Sequence, residues 1–142
     1  MDHMREFGHQ ESTPAVLQVL GFREYLPHVR DVADARHFVA RLLEADGAGD
    51  HLIHAAELIV DELALNAVLH AHSFFSVLVE HGDGVVRVAV RDDSNVVPMI
   101  PSHVTSAIHG RGLTIVAMTA QQWGSESLGQ GKEVWALLRR DS

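Results

Sequence analysis

The sequence predicts an α+β fold in which a largely antiparallel sheet carries helices on one face. Three observations lead there. Apolar residues recur at three- and four-residue spacing in the stretches that read as helices, and β-branched or alternating apolar runs read as strands. Two glycine-bracketed turns, Gly82-Asp83-Gly84 and Gly129-Gln130-Gly131, read as hairpins. The elements then follow in the order β-α-α-β-β-loop-α-β-β, which gives one sheet with helices packed against it.

The first element is "AVLQVLGFREYLP" (15–27), a strand and turn closed by Pro27. In "VRDVADARHFVARLLEADG", Val32, Ala35, Val39, Leu42 and Leu43 share one helical face, and Gly47 ends the run. A second helix covers about residues 50 to 72, with Leu52, Ala56, Ile59, Leu63 and Ala67 forming its core-facing stripe. "FFSVLVEHG" and "VVRVAVRDD" are the two strands of the first hairpin. Residues 93 to 109 hold Pro98, Pro101 and little periodicity, and so form a loop of a length that is commonly functional. A third helix starts at Gly110-Arg111-Gly112, with Leu113, Val116, Ala117 and Ala120 inward, and "WGSESLG" with "KEVWALLRR" closes the chain as a second hairpin.

A chain of 142 residues suits one domain, expected at 14–140, with residues 1–13 as a disordered tail. No apolar run approaches the roughly 18 residues of a membrane span, and no signal-peptide pattern opens the sequence. With 11 Lys+Arg against 19 Asp+Glu the net charge is −8 and no basic cluster stands out, which argues against nucleic acid or an anionic membrane as partner. Cysteine is absent, so disulfides, thiolate metal sites and cysteine nucleophiles are excluded. Ser12 and Ser73 show no base and acid at a spacing that would activate them.

The stretch "DELALNAVLHAHS" (61–73) puts Glu62, Asn66 and His70 at four-residue intervals in an otherwise apolar helix. Glu62 and Asn66 fall along one edge of the buried stripe and His70 within it, while Asp61 points almost the opposite way and reads as a solvated charge. The plain alternative is that Glu62 reaches water while Asn66 and His70 satisfy nearby backbone groups. An amide is costly to bury unpaired, however, and the three together are better explained by a polar cavity over this helix. A carboxylate and an amide oxygen one turn apart can hold a hydrated magnesium ion, with the carboxylate free to act as a base.

"VRVAVRDDSNVVP" (86–98) carries the next signal. Val86, Val88 and Val90 alternate inward, and the same parity sends Asp92 inward and Asp93 away. Asp92 is then either a turn-initiating cap or an acceptor for a ligand N–H such as the amino group of adenine. In "HGRGLTIVAM" (109–118), Gly110 and Gly112 admit close backbone approach, the helix start offers N–H groups to an anion, and Arg111 adds a fork of donors. A glycine-containing helix start with no ligand is the alternative.

Taken in this order, "ARHFVARLL", "DELALNAVLHA", "VRDDSNVVP", "GRGLTIVAMTAQQWG" and "GKEVWALL" resemble the GHKL, or Bergerat-fold, ATPases shared by gyrase-type ATPases and histidine kinases. More narrowly they resemble the short actinobacterial anti-sigma regulatory serine/threonine kinases, over about residues 20 to 139. The resemblance implies a two-layer α/β sandwich with a mixed, mostly antiparallel sheet. It implies ATP and Mg²⁺ as cofactors and a cytoplasmic protein that phosphorylates a Ser/Thr of an anti-sigma antagonist and sequesters a sigma factor. Members often dimerise.

Residue by residue, Glu62 resembles the general base, Asn66 the magnesium ligand and Asp92 the adenine acceptor. The 95–109 loop resembles the lid, and Gly110, Arg111, Gly112 and the adjoining Leu113 resemble the box that meets the phosphates. Ser94 stands beside Asp92 where the wider superfamily has glycine, as in the short members. Glu133 stands where the family often has threonine after the glycine-lysine pair.

Two other functions compete. One is a switch that binds nucleotide, or has lost it, and sequesters its partner without phosphotransfer. The other is a metal-binding module built on the 11 histidines, of which His51 with His54 and His70 with His72 are the closest pairs. Trp123 and Trp135 read as core anchors, and Arg36 as half of a surface salt bridge.

Overall fold

The computed structural model describes residues 16–94, Val116 and residues 119–140. Strand β1 (Gln18–Tyr25) leads into α1 (Val29–Ala45) and α2 (Asp50–Asn66). The hairpin β2 (Phe75–Gly82) and β3 (Val85–Asp92) follows, and β4 (Gln122–Ser127) with β5 (Lys132–Arg139) ends the chain. These elements match the predicted order and both hairpins. The sheet runs β1-β2-β3-β5-β4, and each of its four ladders is antiparallel.

The predicted stripes are the ones that pack. Val32, Ala35, Val39 and Leu43 of α1 are buried, with Leu42 beside them, and so are Leu52, Ala56, Ile59 and Leu63 of α2 and Ala67 just beyond it. They meet the inner face of the sheet at Val77, Val79, Val86, Val88, Val90 and Val134. Each of these side chains contributes about 1.5–3 kcal/mol by leaving water. Helix α1 closes on Gly47 N–H to the Glu44 carbonyl (3.0 Å) and Ala48 N–H to the Leu43 carbonyl (2.9 Å), the bond pair of a Schellman end.

The outer face is only partly what strand alternation suggests. Val85, Ala89, Trp135 and Leu137 are buried there in a second cluster with Leu17 and Leu78. Arg87 and Glu133 lie among them, 3% and 2% exposed. The Arg87 guanidinium donates to Glu80 (2.9 Å) and Glu133 (2.8 Å), Arg91 donates to the second Glu133 oxygen (3.0 Å), and the Arg87 guanidinium carbon sits 5.6 Å from the centre of the Trp135 ring. Trp123 packs on the other face, against the main core. Both tryptophans are therefore packing residues, on opposite sides of the sheet.

The end of the second helix departs from the regular period. Residues Ala67–Ala71 form a π-turn, marked by His72 N–H bonding back to the Ala67 carbonyl at 3.1 Å, and His72 ends it in the left-handed region. The wider turn rotates the residues beyond 67 relative to a regular helix. His70, expected within the core stripe, is consequently exposed, as is Leu69. Asp61 also differs from expectation. It is no free solvated charge but accepts two bonds from Arg36 of α1, at 2.9 and 3.2 Å, which ties the two helices together.

Candidate functional site

The site is built at one end of the sheet, where α2 runs out and β3 stops. Glu62 and Asn66 are partly buried one turn apart in the last turns of α2. The π-turn that continues the helix packs against β3, the strand that ends in Asp92. A side chain then ties the two ends. Ser73, just beyond the π-turn, accepts the backbone N–H of Asp93 at 3.1 Å and donates to the Phe74 carbonyl at 3.0 Å. It has a structural task here.

Asp92 points to the inner face, as its parity predicts, and Asp93 is exposed. The carboxylate is a turn cap, as one of the two expectations has it, and it is also one half of an ion pair. Its Oδ1 accepts the Ser94 N–H at 2.8 Å, the turn-capping bond, and both oxygens accept from Lys132 Nζ, at 2.9 and 2.8 Å. Lys132 is the direct cross-strand partner of Asp92. Before it, Gly131 has φ +88°, and a Cβ there would collide with the Asp92 carbonyl oxygen. Only glycine lets β5 start this close to the end of β3. Tyr25 lies at the same end, stacked on Phe75 at 5.2 Å. Burial holds its phenol above the ordinary value, against the opposing charge of Arg23.

Lys132 and Gly131 are the site residues that the sequence reading passed over. The signal was available. The alternation that turns Asp92 inward applies equally to β5, where Val134, Ala136 and Leu138 face the core and Lys132 shares their parity. The same parity turns Glu133 outward, into the Arg87–Arg91 network. The residue standing in place of the family's threonine thus faces away from Asp92. Burial alone would raise the Glu133 carboxyl, but the charge of Arg87 and the hydrogen bonds from Arg87 and Arg91 outweigh it and hold the group below the usual carboxylate range.

Gly110, Arg111, Gly112, Leu113 and the 95–109 loop lie outside the described residues, and only Val116, fully buried, and the last residues of the third helix fall within them. Glu62 and Asn66 supply oxygen donors, the kind magnesium prefers, and Asp92 retains acceptor capacity for a base. These residues fit the cofactors expected. Among the described residues no three His, Cys, Asp or Glu side chains are grouped to hold a metal ion, so the histidine module gains no support there. No helix among them is long and apolar enough to cross a membrane.

Comparison with known proteins bears on the fold and the family. The crystal structure of the RsbU and RsbW domains of Rv1364c from Mycobacterium tuberculosis superposes with a TM-score of 0.62 at 16% identity, over 84% of this chain. The likeness spans 32% of the length of that two-domain chain, and at this identity it is one of fold. No curated protein sequence matches. A model of the histidine kinase-like ATPase domain matches residues 26–138, the greater part of the sequence, and the chain therefore belongs to the histidine kinase-like ATPase domain family.

Proposed function

We propose that the chain binds ATP with Mg²⁺ as a single domain over 14–140. In this reading it is a regulator of the anti-sigma type, which phosphorylates a serine or threonine of an antagonist protein and sequesters a sigma factor in the cytoplasm. One observation carries the reading: the end of α2, with Glu62 and Asn66, is tied through the π-turn and Ser73 to the end of β3, with Asp92. A base at Asp92 and a phosphate chain reaching toward Asn66 would then span one site.

Bound magnesium supplies positive charge that offsets the phosphates during transfer. The chain's own residues do the rest. Asp92 accepts the base amine and fixes the purine. Asn66 offers its amide oxygen to the metal, and Glu62 orients the attacking hydroxyl and takes its proton. The Gly110–Leu113 segment, with Arg111, would offer donors to the phosphate oxygens. The net charge of −8 suits a protein rather than a nucleic-acid partner.

The test is a calorimetric titration of ATP, with and without Mg²⁺, on the wild type and two variants. Asp92→Asn should weaken ATP binding about tenfold or more through loss of the charged acceptor. Glu62→Gln should bind ATP as the wild type does and slow label transfer to the antagonist by about a hundredfold. Unchanged ATP affinity in Asp92→Asn would defeat the base assignment. A wild type that binds ATP yet labels no candidate antagonist would be the sequestering switch instead.

A further inference from the structure

The base end of the site carries a second charged group beside Asp92. Lys132 Nζ lies 2.9 Å from Oδ1 and 2.8 Å from Oδ2, and the two side chains are 13% and 6% exposed, so the pair is largely shielded from water. It is held there by the ladder. Asp92 and Lys132 face each other across β3 and β5, and the requirement for glycine at 131 fixes how closely the strands approach.

The donors and acceptors can be counted. A carboxylate accepts about four hydrogen bonds, and Ser94 N–H with the two contacts to Lys132 use three of them. One acceptor position remains. An ammonium has three N–H groups, and two contacts to Asp92 leave at least one. A ligand arriving at this end therefore meets an acceptor and a donor side by side, where a lone aspartate would present acceptors only.

That difference bears on which purine fits. Adenine presents the N6 amine, a donor, next to N1, an acceptor; a 6-oxopurine presents O6, an acceptor, next to N1–H, a donor. A lone carboxylate suits the first and repels the second, because O6 would face carboxylate oxygens with no hydrogen between them. The pair serves both. Adenine gives N6–H to Asp92 and takes a bond from Lys132 on N1, and the 6-oxopurine gives N1–H to Asp92 and takes Lys132 on O6. We propose that Lys132 is a specificity-determining residue that opens the base site to 6-oxopurine nucleotides as well as ATP, an inference that rests on the nucleotide reading above.

Inosine triphosphate is the cleanest probe, since it differs from ATP only in this pattern. Calorimetry on the full chain with Mg²⁺ should give affinities for the two nucleotides within about tenfold of each other. Lys132→Thr removes the donor ammonium. ATP loses one bond on N1, whereas the 6-oxopurine loses its bond and leaves O6 facing the carboxylate, so inosine triphosphate affinity should fall about tenfold further than ATP affinity. Lys132→Arg keeps a cationic donor and should bind inosine triphosphate at least tenfold better than Lys132→Thr. Thermal melts of the variants report whether they fold, and the wild-type comparison needs no variant. ATP binding with inosine triphosphate weaker by about a hundredfold would overturn the inference and leave the ATP assignment standing. So would a Lys132→Thr variant with an unchanged ratio of the two affinities. If neither nucleotide binds, the nucleotide reading itself fails and this inference falls with it.

Discussion

Replacing Gly131 with alanine tests how the base end is assembled, and Gly129→Ala is its built-in control. The two glycines stand two residues apart in the same turn with nearly equal φ, +88° and +86°. Either substitution forces an L-residue into the left-handed region at about 1–2 kcal/mol. At 129 an added Cβ would meet nothing within 4 Å, and the cost stops there. At 131 it would collide with the Asp92 carbonyl oxygen and lie 3.0 Å from the Asp93 Cα. These are backbone atoms at the end of a paired strand and just past it, and they cannot swing aside as a side chain could.

Relief requires the start of β5 to lift from β3. That gives up one or two ladder hydrogen bonds, at about 1 kcal/mol each, and loosens the Asp92–Lys132 pair, at about another 1 kcal/mol. The sum is about 3–5 kcal/mol for Gly131→Ala against about 1–2 kcal/mol for Gly129→Ala. Urea unfolding followed by tryptophan fluorescence measures both, provided the slopes agree so that the midpoints report stability alone. ATP titration then locates the damage. Gly131→Ala should weaken binding about tenfold and the control hardly at all. Equal losses of stability in the two variants would show that φ alone matters at 131 and that β5 is not held against Asp92 by a missing side chain.

Two predictions concern charges away from the site. Removing one partner of a buried ion pair strands the other, so Glu133→Ala should cost about 3–5 kcal/mol, whereas Arg87→Met with Glu133→Leu should recover most of the loss; urea midpoints of the three proteins decide it. Because the folded Glu133 carboxyl titrates below its unfolded value, its contribution is fully present above about pH 4.3 and is lost as pH falls through the lower folded value, which acid unfolding of wild type and Glu133→Gln should reveal. At the far end of the sheet, Asp46 accepts from Arg140 at 2.7 Å and sits 3.1 Å from His81, and the Arg140 hydrogen bond leads the causes that hold its carboxyl below the ordinary range. Arg140→Ala should raise that titration, read by NMR of the Asp46 carboxyl; no movement would mean that Arg140 is not its determinant.

Strand parity made most of this fold legible, because each central strand buries one side chain in two against the helices. It placed Val86 to Val90 and carried Asp92 with them. What escaped was set by interactions that no single period encodes. The π-turn at Ala67–Ala71 broke the 3.6-residue rhythm and moved His70 out of the stripe, although nothing in "AVLHA" marks it as a π-turn. Asp61 found Arg36 across 25 residues, a pairing visible only once the helices are side by side. Lys132 opens "KEVWALLRR" and lay within reach of the parity rule, but its partner Asp92 is 40 residues away and faces it only once β3 and β5 are paired.

Parity also explains how Glu133 is compatible with a nucleotide site. A carboxylate on the inner face at this position would stand beside Asp92, and two like charges there would repel each other and any approaching phosphate. On the outer face it is instead the acid that Arg87 and Arg91 require, and its neighbour Lys132 brings the only charge that β5 turns inward toward Asp92. The strand thus divides its first two residues between its two faces, Glu133 holding the outer face of the sheet together and Lys132, in the proposed reading, shaping what the base end accepts. A substitution at 133 should therefore act on stability and one at 132 on ligand choice, and a variant of Glu133 that changed nucleotide preference while keeping its urea midpoint would contradict that division.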